Sequence, residues 1–166
     1  MTAQAHMIAT VFGIGHLRPA PGTWGSLVAL PVAWGLHMLG GFALLAAATV
    51  MAFLLGWWAT AVATRGSQEH DPSEIVIDEV AGQWLALWAL SWPATAHGIA
   101  IGALWPGWIA AFVLFRLFDV WKPGPVGWAD RRGDALGVML DDLIAGAMAA
   151  ICVVLMAGVY HGVLGQ

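Results

Sequence analysis

Charge is what this chain has least of. Only 10% of its 166 residues are Asp, Glu, Lys or Arg, while 60% are hydrophobic, and the mean hydropathy is +0.79. A soluble domain carries about 25% charged residues. A chain this poor in charge cannot clothe a globular surface, so it belongs in lipid. Cysteine is almost missing: the single Cys152 lies inside an apolar run, which excludes a disulfide framework or a cysteine metal cluster. No basic run accompanies the net charge of −4, so no nucleic-acid partner is expected. Met1 to Thr10 lacks a basic region followed by a long apolar stretch, so no cleavable signal peptide is expected and the first span serves as its own insertion signal. Cys-x5-Arg, Asp-x-Asp-x-Thr and Gly-x4-Gly-Lys elements are missing too, as is a Ser/His/Asp pairing. Those gaps set aside cysteinyl and aspartyl phosphatases of familiar pattern, nucleotide cradles and serine hydrolases.

What is there is apolar and segmented. Crossing about 30 Å of hydrocarbon takes roughly 20 residues as a helix. About five stretches meet that need: Thr23 to Leu39, Phe42 to Thr64, Ile75 to Trp92, Ile99 to Val120, and Leu136 to Val159. The expectation is therefore an all-α, polytopic helical bundle forming a single membrane-embedded domain over residues 1–166. Pro31 should kink the first span, and Trp105-Pro106-Gly107 interrupts the fourth, leaving Ser91 to Pro106 open as loop, interfacial helix or span. Gly40-Gly41, Asp71-Pro72-Ser73, Ser91-Trp92-Pro93 and Lys122-Pro123-Gly124-Pro125 supply the breaks. Repeated tryptophans (Trp57, Trp58, Trp84, Trp88, Trp92, Trp105, Trp108) suit interfacial belts and bundle packing.

On that layout every Lys and Arg falls on one face: Arg18, Arg65, Arg116, Lys122, Arg131 and Arg132. The opposite connections, around Gly40 and from Trp92 to Pro106, contain no Asp, Glu, Lys or Arg. The positive-inside rule then puts the N-terminus and the charged loops in the cytoplasm.

The acids are harder to explain by topology alone. Asp78-Glu79 and Asp141-Asp142 stand inside apolar runs, where ionisable groups are costly and mark sites facing the bundle interior. With Asp119 they form three acidic clusters at similar depth. Carboxylates without His or Cys are hard oxygen ligands, suited to Mg2+ or Mn2+ rather than zinc. The candidate metal ligands are Asp78, Glu79, Asp119, Asp141 and Asp142, and the catalytic candidates are these with Lys122. Charge pairs that merely steady the bundle are the competing structural reading. Gly82, Gly137 and Gly146, each about a turn from an acid, permit close helix approach.

A second motif, Pro19-Ala20-Pro21-Gly22-Thr23-Trp24-Gly25-Ser26, offers Thr23 as a helix N-cap with open amides, an anion site strengthened by Arg18. Plain capping accounts for it equally well. Arg18, Gly22, Thr23, Gly25, Ser26, Arg116 and Lys122 are therefore the substrate-binding candidates. Asp130 and Asp134 are acids whose part the spacing leaves open. Of other classes, a small transporter or cation-conducting protein with acids lining a path is the main rival, but the far half of the bundle has no polar residues to continue a route.

At these motifs the chain resembles the phosphatidylglycerophosphatase A family. The resemblance rests on Gly15 with Pro21-Gly22-Thr23-Trp24-Gly25-Ser26, on His70-Asp71 with Ile75-Val76-Ile77-Asp78-Glu79, and on Phe115-Arg116 with Phe118-Asp119 and Lys122-Pro123. It ends with Gly137-Val138-Met139-Leu140-Asp141-Asp142 and Ala145-Gly146. It implies a bacterial inner-membrane hydrolase that removes the terminal phosphate of phosphatidylglycerophosphate, a phospholipid, with Mg2+ as cofactor, to yield phosphatidylglycerol. It carries Asp78, Glu79, Asp119, Asp141 and Asp142 as the site, with Asp130 a looser match. Two departures stand out: Asp134-Ala135 replaces paired glycines, and Ser91 to Pro106 is longer than the usual connection.

Overall fold

The structure is a computed structural model that describes residues 3–66, 72–160 and 162. His70 and Asp71, the latter expected to open the third span, lie outside the described residues. Among those described, all regular structure is helical. The elements are α1 (Ala3–Ala9), a 3-10 turn (Ile14–His16), α2 (Pro21–Ala63), α3 (Ile77–Ala86), α4 (Trp88–His97), a 3-10 turn (Ile101–Leu104), α5 (Trp105–Trp121), α6 (Pro125–Asp130) and α7 (Ala135–Val159). Three stretches are long and apolar enough to cross a membrane: Pro21–Ala63, Ile101–Trp121 and Ala135–Val159.

At 1.5 Å per residue a straight α2 would measure about 65 Å, twice a hydrocarbon core. It is not straight. Gly40 (φ −152°) and Gly41 (φ 61°, ψ −152°) leave helical geometry, the second in a conformation open only to glycine. Thr95 Oγ1 accepts the freed Phe42 N–H at 3.0 Å. The contacts on either side show that the chain reverses here. Gly25 lies on Val76, Trp84 Nε1 donates to the Ala29 carbonyl, and Gly41 lies on Thr95, so the first limb runs with α3 and α4. Trp88 Nε1 donates to Thr49 Oγ1 and Gly56 lies on Ile77, so the second limb runs against them. Gly107 against Leu90 and Gly82 against Phe115 make α5 antiparallel to the same pair. Met139 beside Ala81, then Gly146 on Gly82, make α7 parallel to it.

Two prolines act differently from the sequence expectation. Pro31 sits within α2 without any departure from helical φ/ψ, and the break comes nine residues later at the glycines. Pro93 does not end the third segment, because α4 continues through it to His97 and stops at Gly98 (φ 64°). A proline removes one backbone bond, but in an apolar setting the rest of the ladder has no better partner than itself, so the helix persists. Ser91 to Pro106 thus divides into the end of α4, a 3-10 turn and the start of α5, with a proline among the first two residues of that helix. Thr23 is not the N-cap of α2 either: Ala20 holds that place, Pro21 occupies the first turn, and Thr23 N–H donates to the Ala20 carbonyl at 3.1 Å.

Asp134, left open by its spacing, caps α7. Its Oδ1 accepts the Gly137 N–H at 2.7 Å, while Arg132 binds both its oxygens at 3.2 and 3.1 Å. The Arg132 hydrogen bond is the main reason the Asp134 carboxyl is held below its usual range. Asp134→Ala removes an N-cap worth about 1 kcal/mol. The expected result is a melting point a few degrees lower, measurable by thermal unfolding in detergent.

Candidate active site

The elements that begin or end at one pole of the bundle carry the acids. Asp78 and Glu79 occupy the first turn of α3, where Glu79 N–H donates to Asp78 Oδ1 at 3.0 Å. Asp142 sits in the second turn of α7, its N–H donating to Asp141 Oδ1 at 3.0 Å. What joins the two helices is backbone against backbone: a Cβ on Gly146 would strike the Gly82 carbonyl, and one on Gly82 would come within 2.5 Å of the Asp142 carbonyl. Side chains so near a glycine contact have little freedom to diverge. One carboxylate oxygen each from Asp78, Glu79 and Asp142 falls within a sphere where all separations are 4.8 Å or less. Asp78 and Asp142 are buried, at 6% and 3% exposure.

Asp119, from the last turn of α5, adjoins both Glu79 and Asp142. Its Oδ2 meets Arg116 Nη1 at 2.5 Å, one turn earlier on the same helix, and that nitrogen stands 3.9 Å from Glu79 Oε1. The first turn of α2 closes the pocket: a Cβ on Gly22 would collide with the Glu79 carboxylate and approach Arg116 Nη1 at 3.2 Å. A side chain at this position would have to push the Glu79 carboxylate aside.

Lys122 forms a separate group. It ends α5 in the left-handed region (φ 51°), and its ammonium donates to Asp141 Oδ2 at 2.8 Å and to Asp130. Partial burial works against its charge, but the hydrogen bonds it donates to Asp130 and Asp141 prevail and hold its pKa well above the ordinary value. The lysine therefore stays protonated throughout the neutral range.

The expected residues thus divide. Asp78, Glu79 and Asp142 come together, with Asp119, Arg116 and Gly22 around them. Asp141 turns to Lys122, and Asp130 joins that pair. Of the substrate-binding candidates on the Gly-rich motif, Gly25 packs on Val76, and Ser26 Oγ, fully buried, donates to the Gly22 carbonyl at 2.9 Å. Thr23 lies half-buried in the first turn, and Arg18 Nη1 donates to Ser73 Oγ at 3.3 Å, on the loop that leads into α3. Sequence reasoning passed over Gln83, whose amide lies fully buried a turn beyond Glu79; a polar side chain inside the run Val80-Ala81-Gly82-Gln83-Trp84-Leu85 was the available signal.

The pocket suits a hard divalent cation. Asp78, Glu79, Asp119 and Asp142 outnumber the single guanidinium among them, so the group carries an excess of negative charge at low exposure. Glu79 Oε2 and Asp142 Oδ2 are buried with no hydrogen-bond donor. Buried carboxylate oxygens call for a counter-ion or donor, and an all-oxygen set of this kind matches Mg2+ or Mn2+.

The family model described as Phosphatidylglycerophosphatase A matches residues 7–157. A Haemophilus influenzae protein named phosphatidylglycerophosphatase A is 36% identical over 149 residues, covering 89% of this chain and 85% of that one. An Escherichia coli K12 protein of the same name is 35% identical over 152 residues, covering 90% and 81%. A Bacteroides thetaiotaomicron protein whose provisional name is phosphatidylinositol-3-phosphatase is 36% identical over 152 residues, covering 89% of each. No solved structure matches. The match runs from the end of α1 to near the end of α7, including all the acids of the pocket, and the chain belongs to the phosphatidylglycerophosphatase A family of phosphatases.

Proposed function

We propose that this protein hydrolyses the terminal phosphomonoester of phosphatidylglycerophosphate, giving phosphatidylglycerol and inorganic phosphate, at the cytoplasmic face of the bacterial inner membrane. The observation that carries the reading is the Asp78, Glu79 and Asp142 cluster at one pole of an apolar bundle, in a chain whose relatives bear the name of that activity. The two limbs of α2, the α3–α4 pair, α5 and α7 alternate in direction, which supports five crossings. Arg18, Arg65, Arg116, Lys122, Arg131 and Arg132 all lie in or beside segment ends at the acidic pole, which supports a cytoplasmic N-terminus.

Asp78, Glu79 and Asp142 would hold the cation, with Asp119 beside them, and Mg2+ there would supply charge neutralisation for the phosphoryl oxygens. The chain's own residues do the rest. Arg116, braced by Asp119, presents its guanidinium to the phosphate, and the helix start at Gly22 adds its positive end. Asp141 and Asp130 hold the Lys122 ammonium at the mouth as a second anion contact. In net terms the ester P–O bond breaks, water supplies the new oxygen of phosphate, and the glycerol oxygen leaves with a proton. Acyl chains stay in the lipid alongside the bundle.

Purified protein in mixed micelles should release phosphate from phosphatidylglycerophosphate with Mg2+ and lose that activity with EDTA. Phosphatidylinositol 3-phosphate, the comparison suggested by the Bacteroides relative's name, should be the poorer substrate. No release from either lipid would overturn the reading. For topology, single cysteines at Ser73 and Ala100 in a Cys152→Ser background should label from opposite sides of inner-membrane vesicles; labelling from the same side would sink the five-crossing arrangement.

A further inference from the structure

Buried side-chain nitrogen and oxygen atoms without a hydrogen-bond partner are few among the described residues, and they are not scattered. They are Glu79 Oε2, Gln83 Nε2 and Oε1, Arg116 Nε and Nη1, Asp142 Oδ2 and the Thr60 hydroxyl. All but the last belong to four residues, three of which line the pocket described above. The fourth, Gln83, has no charge and no assigned part, yet both ends of its amide are unpaired at 0% exposure. In an apolar interior an amide in that condition destabilises the fold, and methionine or leucine would fill the space better.

Its placement offers a reason to keep it. Gln83 follows Glu79 by four residues, so their side chains stand one above the other on α3, with Cβ atoms about 5–6 Å apart. The residues just before Gln83 and Arg116 are in contact across the helix interface: a Cβ on Gly82 would stand 2.6 Å from Phe115 Cε2. Arg116 in turn reaches Glu79 at 3.9 Å, and Nη1 meets Asp119 as an ion pair without hydrogen-bond alignment. The unpaired atoms are complementary. Gln83 Nε2 can donate to Glu79 Oε2, and Gln83 Oε1 can accept from Arg116 Nε.

We propose that Gln83 is a positioning residue of this site: its amide bridges Glu79 and Arg116 when the site is loaded, locking the carboxylate toward the cation and the guanidinium toward the phosphate. The inference rests on the phosphatase reading for its activity measurements and on geometry alone for its binding measurements. Such supporting hydrogen bonds around metal ligands are worth about 10–100-fold in affinity or activity.

The test compares wild type with Gln83→Met, which matches the side chain in size and removes the amide. Without divalent cation, Gln83→Met should melt as high as wild type or higher. The Mg2+ concentration giving half-maximal thermal stabilisation should rise at least tenfold, and kcat should fall about 10–100-fold with KM changed less than threefold. If Mg2+ stabilisation and kcat both stay within twofold of wild type, the amide serves only packing or a structural water and the proposal fails. It fails too if Gln83→Met melts lower while its Mg2+ dependence is unaltered. Should Gln83→Met not fold, Gln83→Asn withdraws the amide by one methylene, and a wild-type Mg2+ dependence in it overturns the proposal. Absence of phosphate release by wild type would count against the phosphatase reading alone, since the Mg2+ stabilisation of the two proteins still compares.

Discussion

Asp142→Asn should abolish phosphate release to within on the order of a thousandth of wild type while making the cation-free protein more heat-stable. The two effects have one cause. Asp142 lies at 3% exposure against Asp78, Glu79 and Asp119, so its charge faces like charges in a setting that screens them poorly. Removing that charge relieves repulsion in the empty site and at the same time removes one of three carboxylates that converge. Wild type should gain stability from Mg2+, about 2.7 kcal/mol at a hundredfold excess over Kd. The mutant should gain little. Melting curves with and without Mg2+, beside phosphate release, decide it. If Asp142→Asn lowered the melting point and kept its Mg2+ response, the carboxylate would be a structural charge partner instead.

Gly146→Ala should cost about a hundredfold in activity through a single methyl group. A Cβ at this position meets the carbonyl oxygen, carbonyl carbon and Cα of Gly82, the last two at 2.9 and 3.2 Å. These are backbone atoms of a helix, with no rotamer to yield, so α3 and α7 must separate. Overpacking of this kind costs about 1–3 kcal/mol. The separation falls one turn from Asp142 and one turn from Asp78 and Glu79, and a displacement near 1 Å at a reacting centre is worth about a hundredfold in rate. Gly158→Ala on the same helix is the control: nothing lies within 4 Å of its Cβ, so it should be neutral or slightly stabilising. Equal activity in both variants would show that the glycine contact does not set the carboxylate spacing.

The helical segments were legible because lipid demands long apolar runs, and glycine or proline bounds each of them. Gly40-Gly41 reads directly as a reversal, since Gly41 needs a backbone conformation that other residues avoid. Pro31 and Pro93 misled for a physical reason: a missing N–H stops a helix when water can take over the freed carbonyl, and the apolar surroundings of these helices offer no such competitor. Thr23 misled in the opposite way. A good capping side chain was present, but Pro21 two residues earlier, with its dihedral already set for a helix, began the helix first.

At the site, residue types were legible and partners were not. Neighbouring acids on a helix point about 100° apart, so the pairs Asp78-Glu79 and Asp141-Asp142 do not say which members meet. The tertiary structure separates Asp141 to Lys122 and Asp130, and it leaves Asp142 with Asp78 and Glu79.

Taken by itself, the scarcity of charge determined that this protein is built of apolar helices, and the order of its few acids determined that they fall at segment ends. Both follow from the cost of leaving an ionisable group in hydrocarbon, which depends on composition and order alone. Which carboxylates meet, and which acids hold Lys122, depend on distances across helices. The backbone contact of Gly82 with Gly146 brings α3 and α7 close enough for Asp142 to meet Asp78 and Glu79, and no single sequence position shows that approach.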